Sequence, residues 1–347
     1  MNHLSLGISI AAARLCHRRV PFFVQLVPTS RCNLNCRYCF GQFHEREGIH
    51  FPRENLLTVI DGLAKLGTRF ILLTGGEPMM YPHIAEIIRR IGEHKIELLL
   101  GSNGLTISER IGELAPVNTF SISLDGLRDL HDYFRGDGSY DTAMKAVQAA
   151  RQAGKRVQLQ YTMTRDLINS FQHVNMIAGE LGCFIGINFL RPQRQAGGSI
   201  INPDEATNQE IEDFIDYLIK TRPESLPYPV SILKRVRRWP YEYSRDVIIR
   251  REDLQGYKPI PCSAGKFMIA IDNKGDIYPC AKWFYTKPLG NCLDGDIKKA
   301  WGELPEVNCL TCLDLGFNLL NDTLRFSPSS LINLLRSFRT KKRQVEI

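Results

Sequence analysis

The 347-residue sequence predicts an α/β fold: an open or closed barrel of parallel strands, followed by a small, loop-rich second domain. Three observations predict it. Short β-rich apolar runs alternate with helix-period segments through the first two thirds of the chain. Several of the runs, among them Ile71-Leu72-Leu73 and Leu98-Leu99-Leu100, are apolar at every position, as in strands covered on both faces. From Pro223 the alternation stops, and Pro227, Pro229, Pro240, Pro259 and Pro261 punctuate the chain beyond it.

The strands are expected at 22–27, 70–73, 96–100, 119–124, 157–163 and 184–190, and the helices at 53–66, 83–93, 108–114, 140–153, 171–181 and 204–221. One strand then one helix, six times over, implies parallel strands joined by right-handed crossovers. In such barrels the working residues sit where strands end and the next loops begin. The barrel spans 23–222. Residues 223–258 read as a linker with a short helix. A second domain occupies 259–325, where 266–271 and 276–278 form a hairpin about Asn273-Lys274-Gly275. A small loop-rich unit with several cysteines ordinarily needs a metal to fold. Extensions at 1–22 and 326–347 flank these parts.

Composition narrows the function. With 44% hydrophobic and 23% charged residues the chain is globular, which excludes wholesale disorder. The net charge of +7 is located at the ends. Residues 1–22 hold Arg14, Arg18 and Arg19 without an acid, and residues 336–347 hold five basic side chains against Glu346. The body between them is neutral, which counts against a nucleic-acid enzyme. Residues 330–343 place Leu331, Ile332, Leu334, Leu335 and Phe338 on one helical side beside Arg and Lys, with a weaker echo at 4–19. Such basic amphipathic ends either lie on anionic lipid or pack on their own domain. No apolar run approaches the roughly 20 residues that cross a bilayer. The N-terminal apolar stretch has its basic cluster after it, the wrong order for export. The expected location is cytoplasmic, with membrane contact confined to the ends. Ten cysteines in a chain this long read as metal ligands or scattered core thiols rather than a disulfide scaffold.

After the first strand comes Cys32-Asn33-Leu34-Asn35-Cys36-Arg37-Tyr38-Cys39, a C-x3-C-x2-C loop. Zinc wants four ligands, and His44 is placed to supply the fourth. A cubane iron–sulfur cluster wants one thiolate per iron, so three cysteines leave one iron open. Each later strand end carries a matching chemistry. Thr74-Gly75-Gly76-Glu77-Pro78 offers close backbone approach and a carboxylate suited to an ammonium. Ser102-Asn103-Gly104 is polar. Ser123 and Asp125 share one face, suited to hydroxyls or a carboxylate. His131-Asp132-Tyr133-Phe134-Arg135-Gly136 comes next, with Gln160 and Thr162 on the fifth strand and Asn188 and Arg191 at the end of the sixth.

In this order the residues resemble the radical S-adenosylmethionine (SAM) enzymes over about 23–220. The resemblance implies a partial (β/α)6 TIM-like barrel. It implies a [4Fe–4S] cluster on Cys32, Cys36 and Cys39, whose fourth iron is chelated by the amino and carboxylate groups of SAM. Gly75, Gly76, Glu77 and Pro78 look like the family's GGEP segment, which holds the methionyl amino group. Arg135 would pair with the SAM carboxylate, and Asn103, Ser123, Asp125, Tyr38 and Gln160 would complete the cofactor site. Reductive cleavage of SAM then yields a 5′-deoxyadenosyl radical that removes a substrate hydrogen.

A second cysteine set comprises Cys262, Cys280, Cys309 and Cys312. Its first pair brackets Gly275 in the C-x(9–15)-G-x4-C pattern of the SPASM and twitch extensions found after radical SAM barrels. Too few cysteines remain for a full SPASM domain, so the resemblance is to the one-cluster twitch form, with an auxiliary [4Fe–4S] cluster on these four. A zinc site on the same residues is the alternative, and Cys292 is a stand-in ligand. Cys16 and Cys183 read as buried thiols. In sulfatase-maturing relatives the residue after the hairpin cysteine is an acidic base; here it is Ala281. Asp272, Glu252, Tyr257 and Arg191 are the remaining candidates for a base. The basic linker from Lys234 to Arg251 is interleaved with acids and reads as a solvated face.

The sequence therefore predicts a radical SAM oxidoreductase acting on an unactivated C–H of a small-molecule or lipid-linked substrate, with the auxiliary cluster assisting oxidation or bond formation. A flavodoxin- or ferredoxin-type reductant is the expected partner. A peptide maturase is the alternative, weighed down by the lack of room for a recognition domain before the cluster loop. A non-catalytic zinc or iron–sulfur scaffold docking at membranes is the reading from another class.

Overall fold

The computed structural model describes residues 3–39, 41–43, 48–190, 193–194, 200–201, 206–284, 286–307 and 309–327. After helix α1 (His3–Leu15), strand β1 (Phe23–Leu26) begins the alternation. It continues through α2 (Arg53–Leu66), β2 (Phe70–Leu73), α3 (Ile84–Glu93), β3 (Glu97–Ser102), α4 (Ile107–Arg110) and β4 (Thr119–Ser123). Helices α5 (Arg128–Arg135) and α6 (Ser139–Gln152), β5 (Arg156–Met163), α7 (Leu167–Leu181) and β6 (Phe184–Phe189) complete the six units. The hydrophobic period explains the fit to expectation. On α2 it places Leu56, Val59, Ile60 and Leu63 on one buried face, and Gly67 ends the helix with φ 97°.

Strands β1 to β6 are parallel neighbours in order, with Leu26 opposite Leu73 and Leu73 opposite Leu100. Alternation along each strand separates two environments. Val24, Leu26, Ile71, Leu73, Leu98 and Leu100 are fully buried among hydrophobic neighbours, whereas Gln25, Leu72 and Leu99 line an interior cavity.

Beyond β6 come the short antiparallel pair β7 (Gln193–Arg194) and β8 (Ile200–Ile201), then α8 (Asn208–Thr221) and α9 (Val230–Arg237). Thr207 and Glu210 form a capping box at the start of α8. The basic linker is a paired surface. Arg237 meets Glu212 and Asp216, each at 3.1 Å, and Arg245 meets Asp253 at 2.9 Å. The remaining elements are β9 (Val247–Ile248), β10 (Met268–Ile271), β11 (Asp276–Tyr278), β12 (Gly290–Asn291), α10 (Ile297–Glu303), β13 (Thr311–Cys312) and α11 (Leu315–Leu324).

One expectation changes here: the C-terminal part is not separate from the barrel sheet. Strand β10 pairs in parallel with β1, so the sheet runs β12-β11-β10-β1-β2-β3-β4-β5-β6. The reason is in the residues: Met268, Ile269, Ala270 and Ile271 are all buried, a strand covered on both faces that takes up the otherwise open edge of β1. At the other edge, α11 packs against β6 and lines the interior cavity.

The basic N-terminal extension also packs inward, turning Arg14 and Arg19 to the protein rather than to a membrane. Ile10 and Ala13 of α1 join Phe22, Phe267 and Leu324. Arg14 donates to the Leu324 carbonyl at 2.6 Å, in the last turn of α11. Arg19 donates to the Leu304 carbonyl at 2.7 Å after α10 and lies over the Trp301 ring. Cations at the carbonyl ends of helices meet the negative pole of the helix dipole, which uses these charges internally. The basic C-terminal stretch beyond residue 327 lies outside the described residues. Among the described residues no helix is long and apolar enough to cross a membrane. Cys183 is buried as expected, but Cys16 is exposed just past the end of α1.

Candidate active site

The loop after β1 is strapped to the loop after β2. Gly76 N–H donates to the Thr29 carbonyl at 3.3 Å and Glu77 N–H to the Arg31 carbonyl at 2.8 Å. The approach is so close that a Cβ on Gly76 would stand 2.3 Å from the Arg31 carbonyl oxygen. Gly75 has φ 124°, and a Cβ there would meet Val27 at 2.3 Å. These glycines thus let the second loop press against the cysteine loop, a protein–protein contact as much as an opening for a ligand.

Glu77 is 2% exposed and fully provided with donors. Its Oε1 accepts from Met79 N–H at 3.1 Å and Ser102 Oγ at 2.9 Å, and its Oε2 accepts from Asn103 N–H at 2.8 Å. Burial pushes its carboxyl above the ordinary value despite these donors. An arriving cation would relieve that penalty. The Asn103 side chain reaches back to Asn33 at 2.8 Å, tying this strand end to the cysteine loop.

The Cys36–Cys39 half of the loop docks on the carbonyl end of α5. Arg37 N–H donates to the Phe134 carbonyl and Arg37 Nε to the Tyr133 carbonyl, both at 2.8 Å. The Tyr38 hydroxyl donates to Asp125. Burial pushes the Cys32 thiol up, and the Cys36 thiol up to about 11.

Asp125 corrects an expectation. It is fully buried and does not line the cavity. It instead binds Arg135 from behind, accepting from Nε at 2.5 Å and Nη2 at 3.3 Å, and accepts Thr162 N–H at 3.2 Å. Burial alone would raise its carboxyl, but the Arg135 guanidinium overcomes that and holds it below the ordinary range. Asp125 is therefore a backing residue for Arg135 and Tyr38, and a fixed ion pair occupies much of the arginine expected to meet a carboxylate. Pro78 is also off the cavity, where it starts the 3-10 turn Pro78–Met80.

The remaining predicted residues converge. One cavity of about 560 Å³ is bordered at its strand-end side by Cys32, Cys36, Cys39 and Tyr38. Gly75, Gly76, Glu77 and Asn103 continue that rim. Ser123, Arg135, Gln160, Thr162 and Asn188 also reach it. The size falls within the usual span for small-molecule sites, about 300–1,000 Å³. The interior has two unlike walls. Phe23, Phe70 and Leu72 on β1 and β2, with Leu319 and Leu320 on α11, make one side apolar. Ser121, Gln158 and Gln160 on β4 and β5 make the other side polar, joined through Ser121 Oγ at 3.3 and 3.4 Å, and the paired charges of Arg156 and Glu97 line the same cavity. Arg191 and His44 lie outside the described residues. Asp272, Glu252 and Tyr257 do not line the cavity, which removes them as bases facing it. Asp272 instead accepts the N–H groups of Lys274 and Asp276 in the hairpin turn.

The second set of thiols is gathered from three segments beside this cavity. Cys262, Cys280 and Cys312 share an apolar cluster with Met268 and Phe317. The Cys309 thiol hydrogen-bonds Cys262, which lowers the Cys262 thiol and raises that of Cys309, and Cys280 and Cys312 act electrostatically on it. Cys292 stands apart, its Sγ donating to the Gly275 carbonyl at 3.4 Å among Asp272, Asp276 and Asp294. Ala281 N–H donates to Gln25 Oε1 at 3.1 Å, linking the hairpin cysteine to the barrel interior. Lys282 lines the cavity and pairs with Asp246. Neither Gln25 nor Lys282 belongs to a motif that marks it in the sequence. Among the described residues no three His, Cys, Asp or Glu draw together as tightly as one metal ion demands. A cubane holds its cysteines farther apart, because each binds a different iron. The donor sets, three thiols on a cavity rim and four gathered from three segments, fit a cluster with one open iron and a cluster with all four irons ligated respectively.

Known proteins agree with this architecture. The Radical SAM superfamily matches residues 26–169. The chain is 26% identical over 295 residues to the AdoMet-dependent heme synthase of Oleidesulfovibrio alaskensis, covering 79% of this chain and 72% of that protein. It is 25% identical over 280 residues to mycofactocin maturase MftC of Mycobacterium tuberculosis, covering 79% and 68%. Among solved structures, Streptococcus suis SuiB bound to S-adenosylmethionine superposes with TM-score 0.64 at 18% identity, over 84% of this chain and 68% of that one. SuiB bound to precursor peptide SuiA gives TM-score 0.62 at 18% identity, over 84% and 67%. These last two likenesses are of fold. The Cys32–Cys39 loop and the Glu77 cradle both lie inside residues 26–169, the part of this chain that matches the Radical SAM superfamily, whose enzymes work with S-adenosylmethionine and a [4Fe–4S] cluster.

Proposed function

We propose that this enzyme removes a hydrogen atom from an unactivated C–H of a small or lipid-linked molecule held inside the barrel, and that a second cluster assists the oxidation. The observation that carries the reading is the shared cavity joining the Cys32–Cys39 rim, the Glu77 cradle and the wall beside the second thiol set. Cys32, Cys36 and Cys39 would hold the first [4Fe–4S] cluster. Glu77, backed by Ser102 and Asn103, would take the ammonium of SAM. Arg135, fixed by Asp125, would present its remaining N–H groups together with Ser123. When bound, SAM and this cluster supply, on one-electron reduction, a carbon radical strong enough to take hydrogen from an unactivated carbon. Cys262, Cys280, Cys309 and Cys312 would hold the second cluster, which offers a sink for the electron left on the substrate.

The two walls speak to substrate. The apolar side of β1, β2 and α11 would cover a hydrophobic surface, and the Ser121–Gln158–Gln160 side would hydrogen-bond a neutral polar edge. A volume of about 560 Å³ suits a compact molecule. A peptide is the second reading, favoured by the similarity to a protein named as a maturase and by the fold shared with SuiB, solved with a precursor peptide.

The test is anaerobic reconstitution with iron and sulfide, then SAM and reduced flavodoxin or dithionite. 5′-Deoxyadenosine should form. Deuterium from a substrate, found by comparing metabolites of wild-type and deletion strains, should enter it. Absence of SAM cleavage in protein with a sound first cluster would overturn the proposal.

A further inference from the structure

The first residue of each of the six barrel strands lines the cavity: Phe23, Phe70, Glu97, Thr119, Arg156 and Phe184. The cavity therefore runs from the rim that carries the cysteine loop to the opposite end of the strands. Glu97 and Ser102, the two ends of β3, both border it, and at about 3.3 Å per residue they stand about 16 Å apart along the strand. Ile10 of α1 and Leu324 of α11, which pack with Phe22 just ahead of β1, line the far end as well. Barrels of this kind ordinarily fill their interior with layers of branched side chains. Here Gly101, Ser121 and Ser123 stand along the axis and are too small to fill it. At the far end is an ion pair. Arg156 Nη2 donates to Glu97 Oε1 across β4, and the two side chains are 22% and 12% exposed. Such a pair has no net charge but keeps a donor side and an acceptor side. A carboxylate arriving there would face Glu97, and an ammonium would face Arg156. A carboxamide matches both, its carbonyl accepting from the guanidinium and its N–H donating to the carboxylate.

We propose that Glu97 and Arg156 are specificity-determining residues that anchor the far end of the substrate. That substrate is a slender molecule lying along the strands, and its distal head is an uncharged group with neighbouring donor and acceptor, of the carboxamide, lactam or urea class. The reacting carbon, which must face the Cys32–Cys39 rim, then lies about 16 Å from that head. The apolar wall of β1, β2 and α11 covers the body between them. The inference rests on the reading that the substrate is held inside the barrel.

The experiment is equilibrium dialysis of decanamide, decanoate and decylamine against the full chain, reconstituted anaerobically and supplied with SAM, as wild type, Glu97→Gln and Arg156→Gln. Wild type should bind decanamide about tenfold more tightly than either charged probe, or better. Glu97→Gln leaves the guanidinium uncompensated, so decanoate should gain about tenfold over wild type and decylamine should not. Arg156→Gln should do the reverse. A gain of binding is a result that a damaged chain would not give. Unshifted affinities in variants with wild-type iron content overturn the inference, as does a wild-type preference for either charged probe. If the variants lose their iron, N,N-dimethyldecanamide on the wild type decides. It has no N–H for Glu97 and should bind about tenfold less tightly than decanamide; equal binding overturns the anchor. 5′-Deoxyadenosine formation by the same wild-type samples is read separately. Its absence overturns the proposed reaction, whereas the probe affinities bear on the anchor alone.

Discussion

The two cysteine sites are built in opposite ways. Cys32, Cys36 and Cys39 arrive on one eight-residue loop, and the fold's task is to clamp that loop in place. The clamps are distant in sequence: the Gly76 and Glu77 straps, Asn103 on Asn33, and α5 receiving Arg37. Cys262, Cys280, Cys309 and Cys312 instead come from segments up to 50 residues apart, brought together by the hairpin, by β13 pairing with β9, and by α11. The first site opens on the cavity, while the second is packed with Met268 and Phe317. A local loop with an open side suits a cluster that must bind a ligand. A closed, non-local set suits one that only exchanges electrons.

The largest expected effect separates the two sites directly. Replacing Cys36 by Ala should reduce 5′-deoxyadenosine formation by about 10³-fold or more, because no complete cluster remains to reduce SAM. Iron should fall to about half, with the second cubane's spectrum kept. Replacing Cys280 by Ala should do the reverse. The second cubane is lost and substrate product with it, while SAM cleavage stays within about threefold of wild type. Equal loss of both activities in both variants would erase the distinction between the sites.

Within the first site, Glu77→Gln removes the charge facing the ammonium. A charge-assisted hydrogen bond is worth about 1.5–3 kcal/mol, so SAM affinity, measured by equilibrium dialysis, should fall about 10- to 100-fold with iron content intact. Asp125→Asn should fall short of that, under about tenfold, because Asp125 acts through Arg135 and Tyr38 rather than touching the ligand. An Asp125 effect larger than that of Glu77 would contradict the backing role.

A further effect concerns the scaffold beneath the first site. His131 is 1% exposed, its Nδ1 accepts Asp125 N–H at 3.1 Å, and burial lowers its imidazole to about 4. The unfolded chain binds a proton near pH 6.5, whereas the folded chain refuses it until about pH 4. Stability should therefore fall as pH drops below 6.5, by about 2 kcal/mol at pH 5 in urea denaturation. His131→Gln should flatten that slope.

Much of this contrast is legible in the sequence, and the parts that are not share a cause. Strands carrying their functional residues at one end announce themselves through periodicity and punctuation, so the Cys32 loop, Glu77, Asn103 and Ser123 fall where expected. Which way a polar side chain turns at that end is a tertiary matter. Asp125 has the same spacing from Ser123 whether it meets a ligand or Arg135, and only the buried ion pair decides. The charges of Arg14 and Arg19 look available until α10 and α11 are seen to end beside them. Met268–Ile271 reads as half of a hairpin, but its apolar residues at successive positions are the sign of a strand buried on both faces and joined to β1. Asn318 and Asn321 leave a trace too, as two buried carboxamides three residues apart on α11, bonded to the Cys312 carbonyl and to Ser263 N–H. Their meaning emerges only once the second cysteine set is assembled beside them.

The central claim is that one cluster is open to SAM and the other closed. EPR of the reduced, reconstituted wild-type chain with and without SAM tests it most directly. SAM should change the signal of one cubane, the one absent from the Cys36→Ala variant, and leave the other untouched. A signal that SAM leaves wholly unchanged, or a SAM response that survives Cys36→Ala, would contradict the account.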